Sequence, residues 1–226
     1  FYGAYFIGSL ILFLVSNVLG YDILNKIGYK RGIIYGLLIS VAGALLMLPS
    51  ANANSFPALL ASLFVIALGF SLQQTAAQPF AISLGDPATG SHRLNLGGGV
   101  NSLGTTLGPI IVSFFLFGSV GASDTVVTVT NINTLYLIVA GVFFTVAMFF
   151  LFSKLPSGKN DEKFEKGNKA AGSLMLMTGI IIAIIITAQL AEIPKMVLLL
   201  ITLVAVIGIL FFSNVKAQAN GDGWGA

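Results

Sequence analysis

The chain is 226 residues long, 56% hydrophobic and only 8% charged, with a mean hydropathy of +0.96 and a formal net charge of +3. Soluble domains carry about 25% charged residues, so a water-soluble fold of this length is excluded and an all-α protein of the lipid bilayer remains. The chain has no cysteine, which removes disulfides and thiolate metal sites, and no basic cluster of the kind that binds nucleic acid.

Seven apolar segments reach the roughly 20 residues that a helical crossing requires. They are 1–20, 32–49, 56–84, 92–117, 132–153, 173–190 and 194–213. The first opens at Phe1 with no initiator Met, so the sequence reads as an internal piece of a longer protein. The second contains one Ser, Ser40, and the fifth holds Thr145; helices this bland are expected to face lipid. The third and fourth are the polar ones. Gln73, Gln74, Thr75 and Gln78 lie on the third, and Asn95, Asn101, Ser102, Thr105 and Thr106 on the fourth. Segment 154–172, rich in Pro, Gly and both charge signs, reads as a solvated linker between a five-helix bundle over 1–153 and a two-helix hairpin over 173–213, with a tail over 214–226. Of the eleven basic residues, all but Lys195 fall on alternate connections: Lys26, Lys30 and Arg31, then Arg93, then the five lysines of the linker, then Lys216. That side is the cytoplasmic one by the positive-inside rule.

The third and fourth segments are read as antiparallel neighbours lining a polar cavity. At 1.5 Å rise per residue, Gln74 and Asn101 fall about 5–6 Å from mid-membrane, and Gln78 and Asn95 about 12–14 Å. Pro79 and Pro109 lack an N–H and free the carbonyls of Thr75 and Thr105 beside these amides. Gly97, Gly98 and Gly99 thin the fourth helix, and Gly104 and Gly108 form a small-xxx-small step for close helix approach. Neutral amides and hydroxyls both donate and accept, which suits a neutral polyol. The same groups also serve as interhelical glue, worth about 0.6 kcal/mol apiece. No carboxylate or His lies deep in the five-helix bundle, since Asp22, Asp86, Asp124 and His92 fall on connections or helix ends. No metal-ligand cluster and no nucleophile–base pair appears, so an enzyme is not expected.

LQQTAAQPF (Leu72–Phe80), RLNLGGGVNSLGTTLGP (Arg93–Pro109), FYGAYFIGSL (Phe1–Leu10) and NKIGYKRGI (Asn25–Ile33) resemble, in this order along about 1–153, the fucose/glucose/galactose sugar-symporter branch of the major facilitator superfamily. GWGA at the end resembles the stretch before the seventh core helix of bacterial glucose/galactose members. The resemblance implies a partial major-facilitator bundle of about seven transmembrane helices: core helices two to six, plus the hairpin as an insertion. It implies secondary active transport of a neutral hexose, glucose or galactose ahead of fucose. Transport would run by alternating access in a bacterial inner membrane, coupled to H⁺ or Na⁺ and without a cofactor. Asn101 stands where fucose carriers have a sugar-binding Asn, and Gln74 where they have a membrane-embedded Glu. Gln74, Asn101, Gln78 and Thr105 are the implied sugar contacts. Gly98 stands where fucose carriers have Gln, and Gln78 replaces an Asn before the proline. Lys30 and Arg31 are the gate-loop candidates and Arg93 sits at the cytoplasmic mouth; plain anchoring is the alternative for all three. Two rival readings are a membrane-embedded sugar sensor or assembly subunit, and an exporter of apolar compounds.

Overall fold

The structure, a computed structural model, describes residues 2–117, 128–158, 175–176, 178–184, 186–187 and 194–219. Its elements are α1 (Tyr2–Leu19), α2 (Ile23–Ile27), α3 (Tyr29–Asn52), α4 (Phe56–Ser83), α5 (Gly90–Phe117), α6 (Val129–Phe152) and α7 (Lys195–Ala219), with a 3-10 turn at Pro87–Thr89. The helices α3 to α6 are long and apolar enough to cross a membrane, and Tyr5–Leu19 and Met196–Phe212 are shorter apolar stretches. The chain divides into two compact units, Phe1–Phe164 and Glu165–Ala226. Asp124, Gln189, Glu192 and most of the 154–172 linker lie outside the described residues.

Local chemistry sets the helix ends. Gly20 closes α1 in the left-handed region (φ 74) and donates its N–H to the Ser16 carbonyl at 2.9 Å. The connection over 21–31 is not a plain loop. Asp22 caps the N-terminus of α2 by accepting from the Leu24 N–H at 2.9 Å. Gly28, at φ 90, turns the chain from α2 into α3. Between α3 and α4 the chain reverses in three residues, with Asn54 left-handed at φ 48. Thr128 caps α6 by accepting from the Asn131 N–H.

The core of the first unit is built around α3, which corrects the expectation that the second apolar segment simply faces lipid. Half of its apolar window is buried, more than in any other candidate span. The reason is shape rather than polarity. Small residues recur every fourth position along α3, at Gly32, Gly36, Ser40 and Ala44. They meet a heptad-spaced small set on α4, at Ser62, Gly69 and Ala76. Backbones therefore touch. A Cβ built on Gly69 would lie 2.5 Å from the Gly36 carbonyl oxygen, and one on Gly43 would lie 2.6 Å from the Ile66 nitrogen. Close approach of this kind is how membrane helices associate without a hydrophobic driving force. Ser40, fully buried, donates to the Ile66 carbonyl at 3.3 Å, and the Ser50 and Ser62 hydroxyls pair at 3.0 Å. On the far side, Ala140 and Ala147 of α6 are buried against α3, flanked by Tyr136, Phe143 and Phe150. The remaining face of α3, carrying Arg31, Tyr35, Leu38, Ala42 and Leu45, is exposed.

The two ends of the bundle are tied separately. At the end carrying the basic residues, Lys30 Nζ donates to the Ser153 carbonyl at 2.6 Å, and the Lys30 N–H donates to the Ser157 carbonyl at 3.2 Å. At the other end, the Asn133 amide donates to Asn52 Oδ1 at 3.0 Å.

Candidate functional site

The two polar segments become α4 and α5, and the structure treats them differently. On α4 the residues Ala67, Ser71, Gln74 and Gln78 recur at three- and four-residue steps and share one face. This face points away from the α3 seam. Ser71, fully buried, pairs its hydroxyl with that of Ser9 on α1 at 3.0 Å. Gly8 beside it leaves no room for a side chain, since a Cβ there would lie 2.7 Å from Ser71 Oγ. One turn further towards the basic end, Gln74 is half-buried, and Gln78 beyond it is exposed. Neither amide makes a side-chain hydrogen bond with the described residues. The pair Ser9 and Ser71 was missed in the sequence. Its readable signal is the i, i+3, i+7 step from Ser71 to Gln74 and Gln78.

Helix α5 is held at its ends and uncovered between them. Gly90 is its one buried residue. At the basic end Arg93 acts as a latch. Its Nε donates to the Ala81 carbonyl at 2.7 Å, Nη2 to the carbonyls of Ile82 (2.6 Å) and Asp86 (3.0 Å), and Nη1 to Thr89 Oγ1 at 2.7 Å. The guanidinium thus caps the last carbonyls of α4, where a cation also complements the helix dipole. At the far end, the Asn131 side chain donates to the Leu116 carbonyl at 3.3 Å.

The latch sets the register of the antiparallel pair. Equal rise along both helices from Arg93 against Ala81 and Ile82 brings Gln74 level with Asn101 to about one residue. Asn95 and Asn101 are exposed and, like the α4 amides, make no side-chain hydrogen bond with the described residues. No hydrogen bond joins Gln74 or Gln78 of α4 to Asn95 or Asn101 of α5. Thr105 is exposed and donates its hydroxyl to the Ser102 carbonyl at 2.8 Å, as Thr106 does at 3.0 Å. Its oxygen is left only as an acceptor. Gly97, Gly98, Gly99, Gly104 and Gly108 have open space where a Cβ would stand. The close helix approach expected at Gly104 and Gly108 is therefore not made within the described residues. The backbone contacts sit instead at Gly36, Gly43 and Gly69. One face of α5 carries Gly97, Gly98, Asn101, Thr105 and Gly108, and the opposite face carries Leu96, Val100, Leu103 and Leu107.

The three basic candidates also separate. Lys30 and Arg93 are engaged with backbone carbonyls, whereas Arg31 is exposed and pairs with none of the described residues. Among the described residues no group of His, Cys, Asp and Glu could hold a metal ion.

Comparison with known proteins agrees with this architecture. Residues 1–173 match the Major Facilitator Superfamily. A glucose/galactose transporter of Brucella abortus is 34% identical over 162 residues, which are 72% of this chain and 37% of the relative. The L-fucose-proton symporter of Escherichia coli is 28% identical over 173 residues, 70% of this chain and 39% of the relative. A crystal structure of the major facilitator transporter FucP in the outward conformation superposes with a TM-score of 0.57 at 28% identity, over 71% of this chain and 42% of that one. The chain spans less than half the length of each of these proteins. Its described elements are all helices, it is a multi-pass membrane chain, and it belongs to the Major Facilitator Superfamily.

Proposed function

We propose that this chain is a portion of a secondary active transporter for a neutral hexose, glucose or galactose ahead of fucose, in a bacterial inner membrane. The observation that carries the reading is the uncommitted polarity of α4 and α5. Gln74, Gln78 and Asn101 offer donors and acceptors that no described residue uses, on helices held in register by Arg93. Nothing ionised stands among them, so the matching ligand is an uncharged polyol. Gln74 and Asn101 hydrogen-bond sugar hydroxyls, Gln78 extends the row towards the cytoplasm, and Thr105 contributes an acceptor. The glycines of α5 leave room for the ring. The names of the Brucella and Escherichia relatives support the substrate class and proton coupling.

Transport follows from alternating access, in which helix bundles rock around a site near the bilayer midplane. The small-residue seam between α3 and α4 suits this, because such a bundle moves as a body. Lys30 and Arg93 hold its cytoplasmic end together during that motion. Gln74 carries no titratable proton, so coupling to H⁺ or Na⁺ is handled elsewhere in the full-length protein. Residues 173–213 are an added hairpin, joined to the bundle by the cytoplasmic linker 154–172.

Uptake of labelled hexoses by the full-length protein in proteoliposomes, under an imposed proton or sodium gradient, tests this. Asn101→Ala is expected to lower kcat/KM for hexose about tenfold, the value of one or two neutral hydrogen bonds. Gln74→Leu is expected to do the same, whereas an exporter of apolar compounds would tolerate it. Unchanged hexose uptake in both variants would sink the proposed site.

A further inference from the structure

We propose that the basic end of α3 is a binding site for an anionic phospholipid, with its phosphate held by Arg31 and Lys154 and one acyl chain lying along the outer face of α3. The inference does not depend on which solute is carried.

Four cations gather where α2, α3 and α6 meet, and the structure sorts them. Lys26 places its ammonium 4.2 Å from the centroid of the Tyr21 ring. Lys30 is tied to the Ser153 carbonyl. That tie brings the next residue, Lys154, to the start of α3. Lys154 and Arg31 are both exposed, and neither has a partner among the described residues. The described carboxylates Asp22 and Asp86 have local partners. Asp22 accepts from the Leu24 N–H at 2.9 Å and from the Tyr29 hydroxyl at 3.5 Å. Asp86 accepts from the Ala88 N–H at 2.9 Å, in the turn before α5. Among the described residues no carboxylate forms a salt bridge with Arg31 or Lys154.

The N-terminus of α3 adds to it. Its first turn holds no acidic residue, and its cap, Gly28, supplies no side-chain acceptor. The Lys30 N–H of that turn is already taken by the Ser157 carbonyl, so an anion beside it meets the positive end of the helix dipole but not that donor. Arg31 presents a planar fork suited to two phosphate oxygens, and Lys154 presents a point charge.

The apolar face makes the ligand a lipid rather than a free phosphate. From Arg31 the exposed positions run through Tyr35, Leu38, Ala42 and Leu45 at steps of three and four, without a charge. The stripe spans about 20 Å, against about 15 Å for one leaflet of a 30 Å hydrocarbon core. A long Arg side chain at its base can keep its head among the phosphates while its stem stays on the helix.

The test uses the full-length protein in detergent, offered equal amounts of dioleoylphosphatidylglycerol and dioleoylphosphatidylcholine and read by native mass spectrometry. Each cation near an anionic surface favours binding, so the wild type is expected to retain phosphatidylglycerol about tenfold over phosphatidylcholine. The pair Arg31→Gln with Lys154→Gln is expected to bring that ratio to within about twofold, while the charge-preserving pair Arg31→Lys with Lys154→Arg keeps most of it. Melting in phosphatidylcholine alone reports whether the variants fold, and Arg31→Gln by itself replaces the pair should it not. A preference that survives loss of both charges would overturn the proposal. So would displacement of phosphatidylglycerol by an equal concentration of sn-glycerol 3-phosphate, which would assign the site to a soluble phosphate.

Discussion

Gly69 and Gly98 carry the same side chain and do opposite things. A Cβ at Gly69 runs into the Gly36 carbonyl and Ser40, whereas a Cβ at Gly98 meets nothing within 4 Å. Gly69→Ala is therefore expected to destabilise by about 1–3 kcal/mol through overpacking. Gly98→Ala is expected to shift stability by no more than about 0.5 kcal/mol. Thermal unfolding of the purified protein in detergent checks both. The two glycines look alike in the sequence because each sits in a polar or bland helix with no partner named. Only the packing tells them apart. Arg93 is a second case. Its position at a helix end was legible, and its use was not, because a carbonyl acceptor leaves no mark in a sequence. With four hydrogen bonds at stake, Arg93→Ala is expected to cost about 1.5–3 kcal/mol. Arg93→Lys is expected to recover less than half of that, since an ammonium cannot span carbonyls on Ala81, Ile82 and Asp86 at once. Equal melting temperatures for the wild type and both variants would remove the latch from the account.

Helix positions were largely legible, because roughly 20 apolar residues in a row leave few alternatives. The segments 56–84, 92–117 and 132–153 become α4, α5 and α6 within three residues at each end. What polarity could not reveal was which helix is central. Ser40 and Thr145 gave α3 and α6 the same bland look, yet α3 is the most enclosed span and α5, the most polar, is the least. In a bilayer, lipid is as apolar as a helix core, so burial follows from small-residue shape and not from hydrophobicity. The fourfold repeat Gly32, Gly36, Ser40, Ala44 held that information. Cysteine labelling can read the outcome, since the chain supplies no native thiol. Single cysteines at Asn101, Thr105 and Gly98 are expected, on the transport proposed above, to react with a membrane-impermeant maleimide added from the side to which the proposed cavity opens. Cysteines at Ser40 and Ser62 are expected to stay unreacted until the protein is denatured. Equal reaction at Leu103 and Leu107 would show that α5 does not present its polar face to water.

At the scale of the whole molecule, two compact units part between Phe164 and Glu165, within the run that holds Lys159, Lys163 and Lys166. Brief trypsin treatment is expected to cut there first and leave α1 to α6 as one resistant piece. Earlier cutting at Lys26 or Lys30 would contradict the tie between Lys30 and Ser153. The three-residue reversal between α3 and α4 also bears on how the protein is made. These two helices are neighbours in sequence and share the tightest seam, so they can close on each other as a hairpin as soon as both have left the ribosome, at little loop-closure cost. The partner that covers the other side of α3 is α6, which begins only at Val129. Synthesis therefore leaves α3 half-clothed while α5 and the following connection are being translated. Nascent chains halted after α4 should already form a disulfide between cysteines placed at Ser50 and Ser62, whose hydroxyls meet across the seam at 3.0 Å, and a cell that inserts this protein must tolerate, or shield, the bare flank of α3 for that interval.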